Sequence, residues 1–376
     1  MRAGILAVAA GIGLGAAIAA AAPATAETPR SAHGAGKTAS AHRPAERARP
    51  ATAAAAAVPT LTVTRSGQSP FTLSSGRTTA AELSGLAYAG DTTYSSVGDN
   101  GDTSIWQLYT SLNLSTGQIR SSLVTAGIDA PAMGSDAEGI ALRPDRGTAW
   151  VSDETDSTIT EFSLASGAKV GAVNVPAIYL PANVQDNRGL ESLTYGAGAL
   201  WTANEEALRP DGALSTTTSG SWVRLQEFTG PDLTPAAQFG YLTDPISQLS
   251  PFVSVERSGL VDLLVLPGGA LLALERELGG LLPRFRSRIY LVDTSGATDV
   301  SALPSLSDGG FTPVVKTLLW QGIFGFANFE GMSLGPRLTN GSYSLLLVSD
   351  NGSGQLGQRQ TMLSLILGNA PAATGV

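Results

Sequence analysis

A short unit recurs along this chain. A first apolar run is opened by a glutamate, and a second run, some 14 to 16 residues on, is closed by Asp, Asn or Glu. Glu138-Gly139-Ile140 leads to Ser152-Asp153-Glu154, and Glu191-Ser192-Leu193 leads to Ala203-Asn204-Glu205. Ser84-Gly85-Leu86 leads to Gly98-Asp99-Asn100, and Val261-Asp262-Leu263 to Leu274-Glu275-Arg276. Glu330-Gly331-Met332 leads, across a longer turn, to Ser349-Asp350-Asn351. An internal period constrains a fold more than any other pattern, because each unit must bury its face against a neighbour. Units set around an axis would gather their equivalent acids at one place.

The other strand signals agree. From Leu61 the chain is built of short β runs punctuated by Gly, Asp, Asn, Ser and Pro, without long helical periodicity. Many units hold a third, alternating run: Ile105–Tyr109, Thr158–Leu164, Val223–Phe228 and Arg288–Asp293. Strand, hairpin, strand at a period of ~50–70 residues is the spacing of propeller blades of about four antiparallel strands. The reading is therefore all-β: a β-propeller of four-stranded antiparallel blades, with the first run of each unit as the inner strand. Five repeats are detected, and the last two intervals are long enough to hold a sixth blade. Leu61–Thr64 is expected to close the ring against Met362–Leu367. A β-sandwich is the alternative, but it leaves equivalent acids at repeat intervals unexplained. Trp106, Trp150, Trp201 and Trp222 sit on strands at comparable places and are expected in the blade cores.

Three segments precede or make up this domain. Residues 1–26 read as a secretory signal: Met1-Arg2, an apolar run from Ile5 to Ala22, then Ala24-Thr25-Ala26 as a small-x-small cleavage site. Residues 27–57, rich in Ala, Pro, Ser and Arg, read as a disordered linker with too little apolar surface to offset ordering entropy. Residues 58–376 form the propeller domain, with no run long enough to span a membrane. The expectation is a secreted, extracellular, monomeric protein.

Composition narrows the chemistry. The only histidines are His33 and His42, and there is no cysteine. The folded part therefore has neither Ser-His-Asp nor Cys-His catalysis, nor His- or Cys-ligated zinc. Of 23 Lys and Arg and 31 Asp and Glu, six and two respectively lie before Val58, so the domain is more acidic than the net charge of −8 implies. Such a surface excludes nucleic acid as partner, since binding phosphate backbones needs clustered cations. Arg284-Phe285-Arg286-Ser287-Arg288 is the one basic cluster of the folded part and reads as a solvated hairpin flank.

An ordered set of motifs, covering roughly residues 82–352, resembles the phytase-like family described by "esterase-like activity of phytase". The matching stretches are Leu83-Ser84-Gly85-Leu86, Asp136-Ala137-Glu138-Gly139, Gly189-Leu190-Glu191, Leu274-Glu275-Arg276, Asn328-Phe329-Glu330-Gly331 and Ser349-Asp350-Asn351. The resemblance implies a β-propeller and suggests phosphoester hydrolysis.

The repeated acids are the candidate site. Carboxylates converging from several blades repel one another, and a bound cation relieves that cost. Calcium accepts six to eight oxygen ligands in irregular geometry, which suits carboxylates mixed with amides. The candidate metal ligands are Asp99, Asn100, Asp153, Glu154, Glu205, Glu275, Asp350 and Asn351. Glu138, Glu191 and Glu330 are the candidate catalytic carboxylates, and Arg188 and Arg276 would clamp an anionic substrate. The leading function is a secreted, metal-dependent hydrolase of small-molecule phosphate esters, with calcium as the expected cation and another divalent cation as the alternative. The alternatives are a non-catalytic propeller that uses calcium for rigidity and binds a ligand or cell-envelope partner, and a calcium-dependent lactonase or carboxyl esterase. In structural terms the same glutamates can serve as latches between blades, and the Asp-Asn pairs as turn caps.

Overall fold

Alternation of apolar and polar residues in these runs produces twenty-one strands and no α-helix among the described residues. The computed structural model describes residues 61–369, apart from residues 77, 250, 252–256 and 283. The expected signal (1–26), the linker (27–57) and the outermost residues of the 58–376 domain lie outside the described residues. No helix among the described residues is long and apolar enough to cross a membrane.

The strands form five four-stranded antiparallel blades, the first four each built in chain order. After β1 (Leu61–Arg65) and the short β2 (Phe71–Thr72), the first blade is β3 (Leu83–Gly90), β4 (Thr93–Gly98), β5 (Ser104–Leu112) and β6 (Ile119–Asp129). The second is β7 (Ala137–Leu142), β8 (Thr148–Asp153), β9 (Thr158–Ser163) and β10 (Lys169–Val173). The third is β11 (Leu190–Gly196), β12 (Ala199–Asn204), β13 (Trp222–Thr229) and β14 (Thr234–Leu242). The fourth is β15 (Arg257–Val265), β16 (Leu271–Gly279), β17 (Arg284–Asp293) and β18 (Val315–Ile323). The fifth is β19 (Asn328–Arg337), β20 (Tyr343–Asp350) and β21 (Thr361–Asn369), completed by β1.

β1 pairs antiparallel with β21, Leu61 opposite Asn369 and Thr64 opposite Ile366. The ring is therefore closed by chain-distant strands in one blade, as the sequence leads one to expect. The inner strands touch in the order β3, β7, β11, β15, β19 and back to β3. Together they line an axial cavity of about 160 Å³, floored by Leu86, Ile140, Leu193, Leu263 and Met332.

The spare length that allowed a sixth blade is loop. Residues 294–314, between β17 and β18, lie along the outer edge of the third blade. There Val300 donates to the Gln238 carbonyl and Val314 to that of Gly240, at 2.9 and 3.0 Å. Of the tryptophans, Trp106 and Trp150 are buried, while Trp201 and Trp222 are half-buried.

Neighbouring inner strands approach through glycine. A Cβ on Gly331 would stand 2.3 Å from the Ser84 carbonyl oxygen, and one on Gly85 2.6 Å from that of Glu138. Gly139 faces the Leu193 nitrogen in the same way at 2.6 Å. Because the obstacle is backbone, Gly331→Ala must push the fifth blade off the first and should cost about 1–3 kcal/mol. Gly296→Ala, in a turn with nothing within 4 Å of the new methyl, should stay within about 0.5 kcal/mol. Urea denaturation of the two variants checks this, and equal midpoints would contradict the close-approach account.

An axial acidic cluster as candidate functional site

Every inner strand carries a register irregularity at the same point. It falls between Leu83 and Leu86, Ala137 and Ile140, Leu190 and Ser192, Leu260 and Asp262, and Phe329 and Gly331. A β-bulge leaves one residue unpaired and re-aims its side chain. The residues so placed are Ser84, Glu138, Glu191, Val261 and Glu330. This is why the repeat keeps a glutamate at the opening of its first run.

A second ring lies at or just past the end of the second strand in four blades, and at the equivalent point inside β16 in the fourth blade: Asp99, Glu154, Glu205, Arg276 and Asp350. Asp99, Glu154 and Glu205 donate their backbone N–H groups to the carbonyls of Glu82, Asp136 and Gly189 at 3.0, 2.9 and 2.9 Å. Arg276 is opposite Gly259, and Asp350 opposite Asn328, in the strand ladders. Glycine at 189 and 259 leaves room for acids of the preceding blade: a Cβ would stand 3.1 Å from Glu154 Cγ and 2.4 Å from Glu205 Cγ, respectively.

The two rings meet around one cation. Arg276 Nη2 lies 2.9 Å from Glu330 Oε1, 3.0 Å from Glu205 Oε1 and 4.0 Å from Glu191 Oε1. Ser84 Oγ donates to Glu138 Oε2 at 2.6 Å, and the Gly189 N–H to Glu154 Oε1 at 2.7 Å. Asn328 Nδ2 donates to Glu330 Oε1 at 2.8 Å and to Asp350 Oδ2 at 3.3 Å. Carboxylate oxygens fall within 4.8 Å of one another in three groups: Glu82, Asp99 and Asp350; Asp136, Glu138 and Glu154; Glu154, Glu191 and Glu205.

This crowding moves proton affinities. Burial first, and then the neighbouring acids, hold Glu138, Glu154 and Glu191 well above the usual carboxyl range. Asp99 is pushed up to about 8 by burial and by Asp350, Glu330 and Glu82. Glu330 reaches about 7, because burial and Asp350 outweigh Arg276. The donor set fits a hard divalent cation. It is all oxygen, it comes in groups of three, and two buried acceptors, Asp99 Oδ1 and Asn328 Oδ1, have no protein donor.

Eight residues named from the sequence come together here: Glu138, Glu191, Glu330, Arg276, Asp99, Glu154, Glu205 and Asp350. Five stand apart from the contacts that define the cluster. Glu275 faces outward on β16, taking Tyr241 Oη and Lys316 Nζ on Oε1, both at 2.6 Å. Asp153 caps a turn, accepting the N–H of Asp156 at 2.7 Å. Asn100 is an exposed turn residue with φ 53°. Asn351 Oδ1 accepts the Glu82 N–H and so ties the fifth blade to the first. Arg188 Nε pairs with Glu206 at 2.7 Å. Sequence reading missed Glu82, Ser84 and Asp136. Their signal was an i, i+2 pairing ahead of the inner strand, seen in Glu82-x-Ser84, Asp136-x-Glu138 and Asn328-x-Glu330.

Residues 78–352 match the phytase-like family model, whose description is esterase-like activity of phytase. No curated protein matches the chain. Among solved structures, similarity is found to hydrazine synthase of Kuenenia stuttgartiensis at 10% identity and a TM-score of 0.35, covering 78% of this chain and 65% of that one. This chain thus spans less than two thirds of that protein's length. The glutaminyl cyclase of Myxococcus xanthus is similar at 11% identity and a TM-score of 0.36, with 82% and 97% covered. The WD40 β-propeller domain of Doa1 is similar at 9% identity and a TM-score of 0.32, with 81% and 96% covered.

The raised carboxyls have a measurable consequence. In the unfolded chain they lose protons above about 4.3, whereas folded Glu330 and Asp99 keep theirs up to about 7 and about 8. The folded state then binds more protons, so stability is complete below the unfolded value and falls as pH rises through the folded ones. Melting in chelator should drop steadily from pH ~5 to pH ~8, and a saturating divalent cation should flatten that slope. A flat profile in chelator would mean that Arg276 alone neutralises the cluster.

Proposed function

The chain belongs to the phytase-like family, described by an esterase-like activity of phytase, and on that premise we propose that it is a secreted, calcium-dependent hydrolase of phosphate esters centred on the axial acidic cluster. The observation that carries this reading is the convergence of nine carboxylates from four blades, three of them about a single guanidinium, in a domain without His or Cys. That exceeds what one internal ion pair needs.

Glu154, Glu191 and Glu205 would hold a cation on one side, and Glu82, Asp99 and Asp350 on the other. The cation would supply Lewis acidity towards an ester oxygen and towards water. Glu138, which accepts from Ser84 Oγ, would serve as the proton acceptor. Arg276 fixes the orientation of Glu330 and Glu205 and offsets part of their charge, and its contacts leave it committed to them. Arg188, through Glu206, holds the segment that presents Glu205.

Burial favours a second reading, in which the cation is structural and the propeller binds without catalysis: Glu138, Glu191 and Glu330 are only 5%, 4% and 7% exposed. An acyl-ester or lactone substrate would use the same donors. A panel of phytate, a phosphodiester, an aryl acetate and a lactone, run with calcium and with chelator, separates the three. Turnover of phosphate esters that chelator abolishes supports the proposal. Calcium binding without turnover supports the structural reading.

Two variants sharpen the choice. Calcium at a hundred-fold excess over its Kd should stabilise the fold by about 2.7 kcal/mol. Glu191→Gln keeps the shape but loses the charge, so it should abolish that gain and cut turnover by about a hundred-fold. Glu161→Gln, on β9, whose carboxylate pairs with Arg143 and accepts from Thr148 Oγ1 away from the axial cluster, should leave turnover intact. A folded Glu191→Gln protein that retains both calcium response and activity would place the site elsewhere.

A further inference from the structure

The β16–β17 hairpin differs from its counterparts in the other blades. Arg276 enters the axial cluster from β16, and the strand then runs three residues further, to Gly279. In the second and third blades the equivalent Glu154 and Glu205 stand just past the last strand residues, Asp153 and Asn204. The fourth blade thus carries its hairpin beyond the acidic ring, at the end of the axis where the acids lie.

The tip is apolar. Leu281 and Leu282 are 62% and 63% exposed, the most of any large hydrophobics apart from Val315 among the described residues. Ile323, opposite Arg286 in the ladder, and Phe326 add exposed apolar surface beside it. The Phe285 N–H, bonded to the Gly325 carbonyl at 2.9 Å, holds these two segments together. Flanking the tip is the domain's one basic cluster. Arg288 is taken by Glu277 at 2.7 Å. Arg284 is exposed, and Arg286 reaches only Gln321, at 3.5 Å. Neither Arg284 nor Arg286 forms an ion pair among the described residues.

We propose that this hairpin docks the protein on an anionic lipid surface, with Leu281 and Leu282 in the acyl boundary and Arg284 and Arg286 at the phosphate level. An apolar tip flanked by arginines that form no ion pair among the described residues matches the layering of a bilayer, and each such cation adds to binding near anionic headgroups. The whole chain carries a net charge of −8 and the acidic ring lies at this end, so a basic tip that projects beyond the ring is what lets this end approach such a surface. A symmetric contact between two copies would instead bring the tip arginines of both together. Docking in this pose turns the acidic cluster towards the headgroup layer, and it stands whether or not the cluster is catalytic.

The chain has no cysteine, so a single label can be placed in the full-length protein. An environment-sensitive fluorophore on Leu282→Cys should shift to the blue with vesicles of phosphatidylcholine and phosphatidylglycerol, and bromolipids should quench it. The same label on Leu114→Cys, in the β5–β6 turn at the opposite end of the axis, should stay aqueous. Arg284→Gln with Arg286→Gln should raise the lipid concentration for half-binding about ten- to thirty-fold. Salt at about 0.5 M should do likewise by screening. If the two labels respond alike, the tip does not insert and the proposal fails. If the Leu282 label shifts with protein concentration but not with lipid, the patch is a self-association surface and lipid docking is refuted.

Discussion

Backbone-to-backbone contact between inner strands sets the geometry on which everything else here depends. Gly85, Gly139 and Gly331 put adjacent inner strands against each other with no side chain between them. Five blades therefore close on a narrow axis, and the bulge residue of each strand has little choice but to meet its neighbours. Where glycine is absent, a polar group does the joining. Asp262 holds the glycine position of the fourth blade and accepts the Met332 N–H of the fifth at 2.6 Å and its own Leu263 N–H at 2.8 Å. Burial raises the pKa of its carboxyl, while these N–H groups and that of Leu193 work against the rise. One side chain thus fastens three blades.

The same narrowness creates the electrostatic problem at the mouth. Like charges that converge in a dry site must be protonated, paired, or neutralised by a bound cation. Arg276 does part of this. Burial works to lower its pKa, yet Glu205, Glu330 and Glu191 hold it above the usual value. One guanidinium cannot balance the acids of both rings, and the surplus makes the mouth a place for protons or cations rather than a finished salt bridge.

Much of this was legible in the sequence, because blade period and bulge position both leave marks on residue type. The run starting near Ser84, Glu138, Glu191, Val261 and Glu330 marked every inner strand, and the closure of Leu61–Thr64 against Met362–Leu367 was expected because these are the first and last β runs of the domain. The outer strands were not legible. β10 and β18 are mostly solvent-facing, so burial imposes little pattern on them. Blade number was not legible for a related reason: residues 294–314 are held by backbone bonds to β14 and by single contacts such as Phe311 on Trp222 and Leu306 N–H on Asp211, none of which repeats with the blade period. Asn100 and Asn351 carried the right chemistry at the right interval but stand past the ring, where turn geometry governs.

Glu275 and Arg276 show what periodicity alone misses. In the repeat they stand together, yet successive residues of a strand face opposite ways. Glu275 and Glu277 turn to one side of β16 and are anchored there by Lys316 and Arg288 at 2.6 and 2.7 Å. Lys316 itself lies over the rings of Tyr290 and Tyr241 at 4.3 and 5.0 Å. That outer network grips both neighbours of Arg276, so the guanidinium between them is held towards the axis. The fourth blade thus gives the ring a cation where three blades give acids to both layers or nearly so, and its inner position is Val261. A strictly repeated ring would have been five acids with no internal partner. The break in the repeat allows the remaining acids to be buried together, and it divides them into a group on the Glu82 side and a group on the Glu191 side, with Arg276 and Glu330 between.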